Sequence, residues 1–410
     1  MQRSLIGVLV LAVLGVAGYL FWKPGADTNL AVKVPADPRV KGGAFATSQP
    51  GQFSLMMFAY LNWPADTTQR GVLDPTKPLG ASGAYTVWES FKNTSEIYRP
   101  DGSAPAPFQQ NTELPSPPDP AVLQKLGAVD SPWVHFLSES RMIDGQQIVD
   151  ANTSIIRYDV RCNQPHFSYI ARNPAGYELF NLQGQEAALA DPKYQFAFPI
   201  DAIEVKASWR VLGISDDASK YWTAYGAYYN DANQMVYARI GLTAIHIISK
   251  VTPDWFWITF EQVDDANATF KYFKQQKGDP VGGNPTINPA AAPINAQLKA
   301  MAKGTKWQNY QLVGWQYQYA DNSGQPTILA NTQIETYFEQ TSSCISCHAL
   351  ASIGPAKQVR LTMWNYGPDG VTGMVGPIDF QAIAQKQAPG LAFKPMDHVW
   401  SLRQAKSKQP

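Results

Sequence analysis

MVYARIGLTAIHII, residues 235–248, decides how the rest of this chain is read. Apolar residues occupy both parities of the run, so neither face of a strand built from it suits water, as in a strand central to a sheet or crossing between layers. Around it, Ile203, Val205, Ala207 and Trp209 alternate with Glu204, Lys206, Ser208 and Arg210, the period of two that half-buries a strand. Ile156, Tyr158, Val160 and Cys162 alternate in the same way with Arg157, Asp159 and Arg161. Residues 255–263 form a further aromatic-rich strand candidate and 220–229 another. Helical spacing is concentrated early, at Phe53, Met56, Met57, Tyr60 and Leu61. The pattern predicts an α+β fold whose main domain, 38–277, is antiparallel and β-rich, a sandwich being one form of it.

The length of 410 residues suggests two to three domains. Lys plus Arg and Asp plus Glu are 33 each, which removes the basic excess expected of a nucleic-acid binder. Charged residues make up 16%, below the ~25% of average chains, so a large fraction of the surface is buried or weakly charged. The proline-rich stretch 101–120 reads as a surface loop within the first domain. Residues 278–298, opening with Gly-Gly and Asn-Pro and rich in alanine, read as a linker to a last region, 299–410.

In that last region stands C-I-S-C-H, Cys344 to His348. Two thiols three positions apart can each add to a vinyl group on one edge of a porphyrin, and the next residue then offers an imidazole to the iron. The motif therefore predicts one covalent haem c, with Cys344 and Cys347 as thioethers and His348 as proximal iron ligand. A structural zinc site would need two more ligands at similar spacing, and the one remaining cysteine is Cys162. A thioredoxin-like dithiol would follow a strand in a βαβ unit. Instead Thr332 and Glu335 make a T-x-x-E capping box, predicting a helix after Thr332 with Ile334, Tyr337 and Phe338 on one face.

The N-terminus predicts export. Residues 4–22 contain no charge, and 19 residues of helix rise about 28 Å, close to the apolar thickness of a bilayer. Arg3 precedes the run, and Tyr19, Phe21 and Trp22 end it as interfacial rings do. The expectation is a transmembrane anchor, residues 1–24, in the bacterial inner membrane, with the bulk of the chain in the periplasm. The competing reading is a cleaved signal peptide with Gly15, Val16 and Ala17 as its small-x-small site. In an oxidising compartment Cys162 is the odd cysteine, expected as a buried, inert thiol.

The other polar residues carry weaker signals. His246, between Ala244 and Ile248 on one strand parity, reads as a core histidine; His135 and His166 show no partner spacing. Glu261, Asp264, Asp265 and Asn267 lack the D-x-D-x-D-G calcium loop, and Gly370, Gly373 and Gly376 read as turns. No nucleophile elbow, P-loop or dinucleotide fingerprint is present. The distal iron ligand is open: Met363, Met374, Met396 and His398 follow the motif, with Met396, after Pro389, Gly390 and Pro395, as first expectation and Met374 as second.

Several strings carry a resemblance: FAYLNWPAD (58–66), VWESFKNTSEIYRPDGSAPAPF (87–108), IEVKASWRVL (203–212), IGLTAIHIISKVTPDWFWITFEQVDD (240–265), LANTQIETYFEQTSSCISCHALA (329–351) and DHVWSL (397–402). With them the chain resembles exported monohaem cytochrome c family proteins of proteobacteria. The resemblance implies one covalent haem, an envelope location and a small, mainly helical or irregular cytochrome c-like haem region beside a large accessory domain. It carries over only Cys344, Cys347 and His348; His398 stands where that family's ending has Phe. Two functions follow as expectations. One is electron transfer between redox partners in the envelope, at the inner membrane. The other is a haem-dependent oxidoreductase or small-molecule sensor whose β-rich domain forms a pocket over an open iron face.

Overall fold

The computed structural model describes residues 33–113, 119–137, 139–140, 142–143, 146–147, 155–264, 287–333, 335, 339–354, 361–367 and 370–409. Nine strands form one sheet: Lys92–Asn93 (β1), Val134–Phe136 (β2), Glu139–Ser140 (β3), Arg157–Cys162 (β4), Ile203–Val211 (β5), Thr223–Tyr229 (β6), Met235–Ser249 (β7), Phe256–Gln262 (β8) and Tyr310–Gln316 (β9). Neighbours run β1–β4–β5–β7–β8–β9, with β3 also on β4 and β6 also on β7, all antiparallel; β2 lies parallel to β6.

The 15 residues of β7 explain their own composition. Gly241 pairs with Arg210 of β5 and Thr223 of β6, while Ile245 pairs with Ala207 of β5 and Phe260 of β8. Strands β6 and β8 therefore share one edge of β7, one after the other, and β5 holds the opposite edge. Thr243 is the extra residue where the β5–β7 register shifts, and its hydroxyl bonds to Ser208 at 2.9–3.0 Å. Such a bulge bends and twists the sheet, which here becomes nearly closed and barrel-like.

Both faces of this sheet are covered. Facing residues on paired strands share a side, so Val205, Ala207, Ile245, Ile247, Ile258 and Phe260 form one apolar layer. Helix α1 (Pro50–Leu61) packs on it: Phe53 meets Phe256 at 4.9 Å and Phe58 meets Phe260 at 4.4 Å. The opposite side carries two cross-strand rows, Val160–Lys206–His246–Thr259 and Cys162–Glu204–Ile248–Trp257. Strand β5 was expected to show Glu204, Lys206 and Ser208 to water. Glu204 and Ser208 are buried: Ser401 from the C-terminal part of the chain reaches Glu204, and Thr243 of β7 bonds to Ser208.

Two expectations are corrected, and a third falls outside the described residues. The α+β class is met by a barrel-like sheet rather than a sandwich. The C-terminal region is not a small cytochrome c-like appendage: Tyr310–Gln316 is a strand of the main sheet, and Pro35–Pro410 forms one compact unit. Among the described residues no helix is long and apolar enough to cross a membrane; the run 4–22 lies outside them, in the separate unit Met1–Val34. Of the expected linker, 278–286 lies outside the described residues, and Ala292–Met301 is a helix packed on β9 and α1.

Sequence alternation also misplaced charges on β4. Asp159 and Arg161 are 1% and 0% exposed and join a buried network. His135 sits between Asp159 (2.9 Å) and Glu89 (3.0 Å), Arg161 reaches Asp159 and Glu113 (both 2.6 Å), and Trp209 donates to Asp159 at 2.8 Å. Burial opposes ionisation of Asp159, but Arg161 and His135 outweigh it and hold its pKa down to about 2.

Candidate haem-attachment site

The motif lies on a short helix, α2 (Cys344–Ala349), begun by Ser343, whose side chain accepts from the Ser346 backbone N–H. Gln316, the last residue of β9, ties this helix to the sheet. Its Oε1 accepts from Ile345 N–H at 3.0 Å and its Nε2 donates to Ser343 Oγ at 2.7 Å. The Ser346 hydroxyl donates to the Gly376 carbonyl at 2.7 Å, fixing the outer side of the helix. Ile345 is fully buried in an apolar cluster with Ala351, Val399 and Leu402. At i, i+3 spacing Cys344 and Cys347 share one helix face, and both are 6% exposed.

His348 is held from two directions. Its Nδ1–H donates to the His398 carbonyl at 2.7 Å, and its ring lies 4.4 Å from the indole of Trp257. The bond fixes the tautomer and leaves Nε2 as the lone-pair nitrogen. Burial pushes the imidazole pKa down to about 3, so it is neutral, the form that ligates a metal. Burial also raises the Cys344 and Cys347 thiols, Cys344 well above the ordinary value.

These three residues open on one cavity of about 790 Å³. Its floor is the polar side of the sheet, with Lys206, His246, Ile248 and Trp257; its other walls include Met363, Trp400 and Arg403. Ligand cavities span ~300–1,000 Å³, and a porphyrin needs the upper part of that range. The chain's last segment closes the site: Trp400 donates its indole N–H to the Cys347 carbonyl at 3.2 Å, and Leu182 N–H bonds to the Lys406 carbonyl at 3.0 Å.

The other expected residues are dispersed. Met396 is 1% exposed inside the apolar cluster, its N–H bonded to the Ala351 carbonyl, and it does not line the cavity. Met374 faces Cys347 Sγ with its backbone carbonyl, at 3.8 Å. His398 bonds through Nε2 to the Tyr319 hydroxyl at 2.9 Å and is also outside the cavity lining. Met363 and His246 do line it.

No helix opens directly after Thr332 among the described residues; Thr332 and Gln333 form a turn held from Asn331 instead. Asn331 Oδ1 accepts from Gln333 N–H and the Glu335 carboxylate accepts from Asn331 N–H, both at 2.8 Å, while the Thr332 hydroxyl donates to Glu261 at 3.0 Å. Ile334, Tyr337 and Phe338 lie outside the described residues, as do Asp265 and Asn267; Asp264 pairs with Lys220 at 2.8 Å. Gln316, Trp257 and the cavity face of His246 escaped sequence reasoning. Their one signal was the polar parity of β5, whose Glu204 and Lys206 point to the same side. Comparison with family models, with curated proteins and with solved structures gives no match, so the site is read from its own chemistry.

Proposed function

We propose that the chain carries one haem c, linked by thioethers to Cys344 and Cys347 with His348 Nε2 on the iron, and transfers single electrons between redox partners in the bacterial envelope. The observation that carries this reading is the convergence of both thiols and a neutral, correctly tautomerised imidazole on one cavity of porphyrin size. When bound, the haem iron supplies a one-electron couple. The protein's share is to hold and insulate it. His398 orients the proximal ring through its carbonyl, and Trp257 and Ile248 supply the apolar part of the floor. Lys206, Arg403 and Lys406 line the same cavity and suit propionate carboxylates. The resemblance to exported monohaem cytochromes and the apolar run 4–22 support export across the inner membrane, to the compartment where thioethers form.

Of the cavity-lining residues, Met363 would be the one to hold the second position on the iron. His246 lies on the same sheet floor as Trp257, which packs against the proximal ring, whereas Met363 comes from a separate segment. Thioether ligation raises the potential, in keeping with electron transfer.

The deciding experiment is the intact mass of protein matured in a host with haem-attachment machinery. The expected mass exceeds that of the polypeptide by one haem and returns to the polypeptide value in the Cys344→Ser, Cys347→Ser double variant. A wild-type mass equal to the bare chain overturns the proposal. A five-coordinate high-spin spectrum would instead assign the open-iron sensor or oxidoreductase.

A further inference from the structure

A second cluster lies beside the cavity and is not used by the haem reading. Cys162 ends β4, Glu204 is its direct cross-strand partner on β5, and His166 sits in the first helical turn after β4. One potential ligand atom from each lies within 4.8 Å of the others, and all three residues are buried. Cys162 Sγ is 3.9 Å from Glu204 Oε2, and His166 Nε2 is 3.6 Å from the same oxygen. The edges of a tetrahedron around zinc, with bonds of ~2.0–2.3 Å, are about 3.3–3.7 Å. The two edges at Glu204 are thus within a few tenths of an ångström of that shell, and the Cys162–His166 edge, at most 4.8 Å, would close by a side-chain adjustment of up to about 1 Å.

The independent sign of a ligand is His166. It is 0% exposed, and neither ring nitrogen has a hydrogen-bond partner among the described residues. Phe198 and Trp255 flank the ring at 4.5 and 5.9 Å and offer no acceptor. Buried polar groups are almost always satisfied, and Glu204 Oε2, at 3.6 Å from Nε2, stands just beyond hydrogen-bond reach. Glu204 is itself fixed by the Ser401 hydroxyl.

We propose that Cys162, His166 and Glu204 bind one zinc-class divalent ion. Thiolate, imidazole and carboxylate together match a borderline-soft metal rather than calcium or magnesium. Three protein ligands leave a fourth position for water, on the side where Glu204 lines the large cavity. Binding converts the Cys162 thiol to thiolate and releases its proton to solvent. Cys162 is then a ligand, rather than the inert thiol its strand parity suggested.

The test uses the haem-loaded chain, in which the motif sulfurs are consumed, equilibrated with zinc and dialysed. Elemental analysis is expected to find one zinc per chain, with affinity falling at least about tenfold in Cys162→Ser and in His166→Gln. The zinc K-edge spectrum should show one sulfur neighbour. If haem does not attach, the Cys344→Ser, Cys347→Ser variant serves as the parent, so the two proposals fail separately. Should a Cys162 or His166 variant not fold, the wild-type edge spectrum decides alone. No zinc in the wild type, zinc unchanged in Cys162→Ser, or a spectrum without sulfur overturns the assignment.

Discussion

The backbone carbonyl of His398 accepts the Nδ1–H of His348 at 2.7 Å, across 50 residues of chain. That carbonyl is aimed by a tight turn in which Asp397 and His398 both take positive φ, 48° and 68°. Two consecutive non-glycine residues in this region are strained and persist only if held. Asp397 supplies the hold, accepting from Phe198 N–H at 2.7 Å and pairing with Lys250 at 2.6 Å.

Asp397→Ala should therefore loosen the proximal histidine without touching it. Removing one partner of a largely buried ion pair costs ~3–5 kcal/mol, read as a shift in urea midpoint. A looser His348 is a weaker donor, so the haem potential should rise. An unchanged potential would show that the turn does not orient the ring.

Methionine variants separate the cavity from the core. Met396→Ala should cost about 2–5 kcal/mol of stability and leave the methionine–iron charge-transfer band in place. Met363→Ala should abolish that band at little cost to folding. The reverse pattern would return the distal position to Met396, and loss of low-spin character in His246→Ala would point to a second histidine.

Trp257 joins floor and proximal ring, and it is 2% exposed with its indole N–H on the Asp254 carbonyl at 3.0 Å. Trp257→Ala should cost ~3–5 kcal/mol and admit water to the porphyrin edge, lowering the potential. Trp257→Phe should recover most of the potential.

Acid should attack the network on the other side of the sheet. Asp159 has a folded pKa of about 2 against an ordinary 3.8, a depressed value. Its contribution, about 2 kcal/mol, is complete above pH 3.8 and is lost as pH falls through 2. Urea titrations should show stability dropping across this window in the wild type and a flatter acid limb in Asp159→Asn. His135, whose pKa burial lowers but Asp159 and Glu89 together raise above the ordinary value, acts in the opposite sense: its contribution is full at low pH and fades as pH rises through its folded value.

The central strand and the attachment motif were legible because each is local. Residues 235–248 show both parities apolar, and Cys344, Cys347 and His348 are within five positions. What could not be read was which side of a polar parity meets water. Glu204 and Lys206 alternate as an exposed face would, yet they floor a cavity. Asp159 and Arg161 look solvated until His135, Glu89 and Glu113 arrive from distant segments to neutralise them. Thr332 lost its capping role for the same reason, since Glu261, far away in sequence, takes its hydroxyl.

The near-complete burial of Cys344 and Cys347 imposes an order in time. On the proposed haem reading, sulfurs left only 6% exposed, with Trp400 bonded to the Cys347 carbonyl, would be tethered while residues 397–406 are still undocked. Maturation and final closure are then sequential steps, and a polypeptide that shuts before the porphyrin arrives would be a dead-end product, folded but permanently empty.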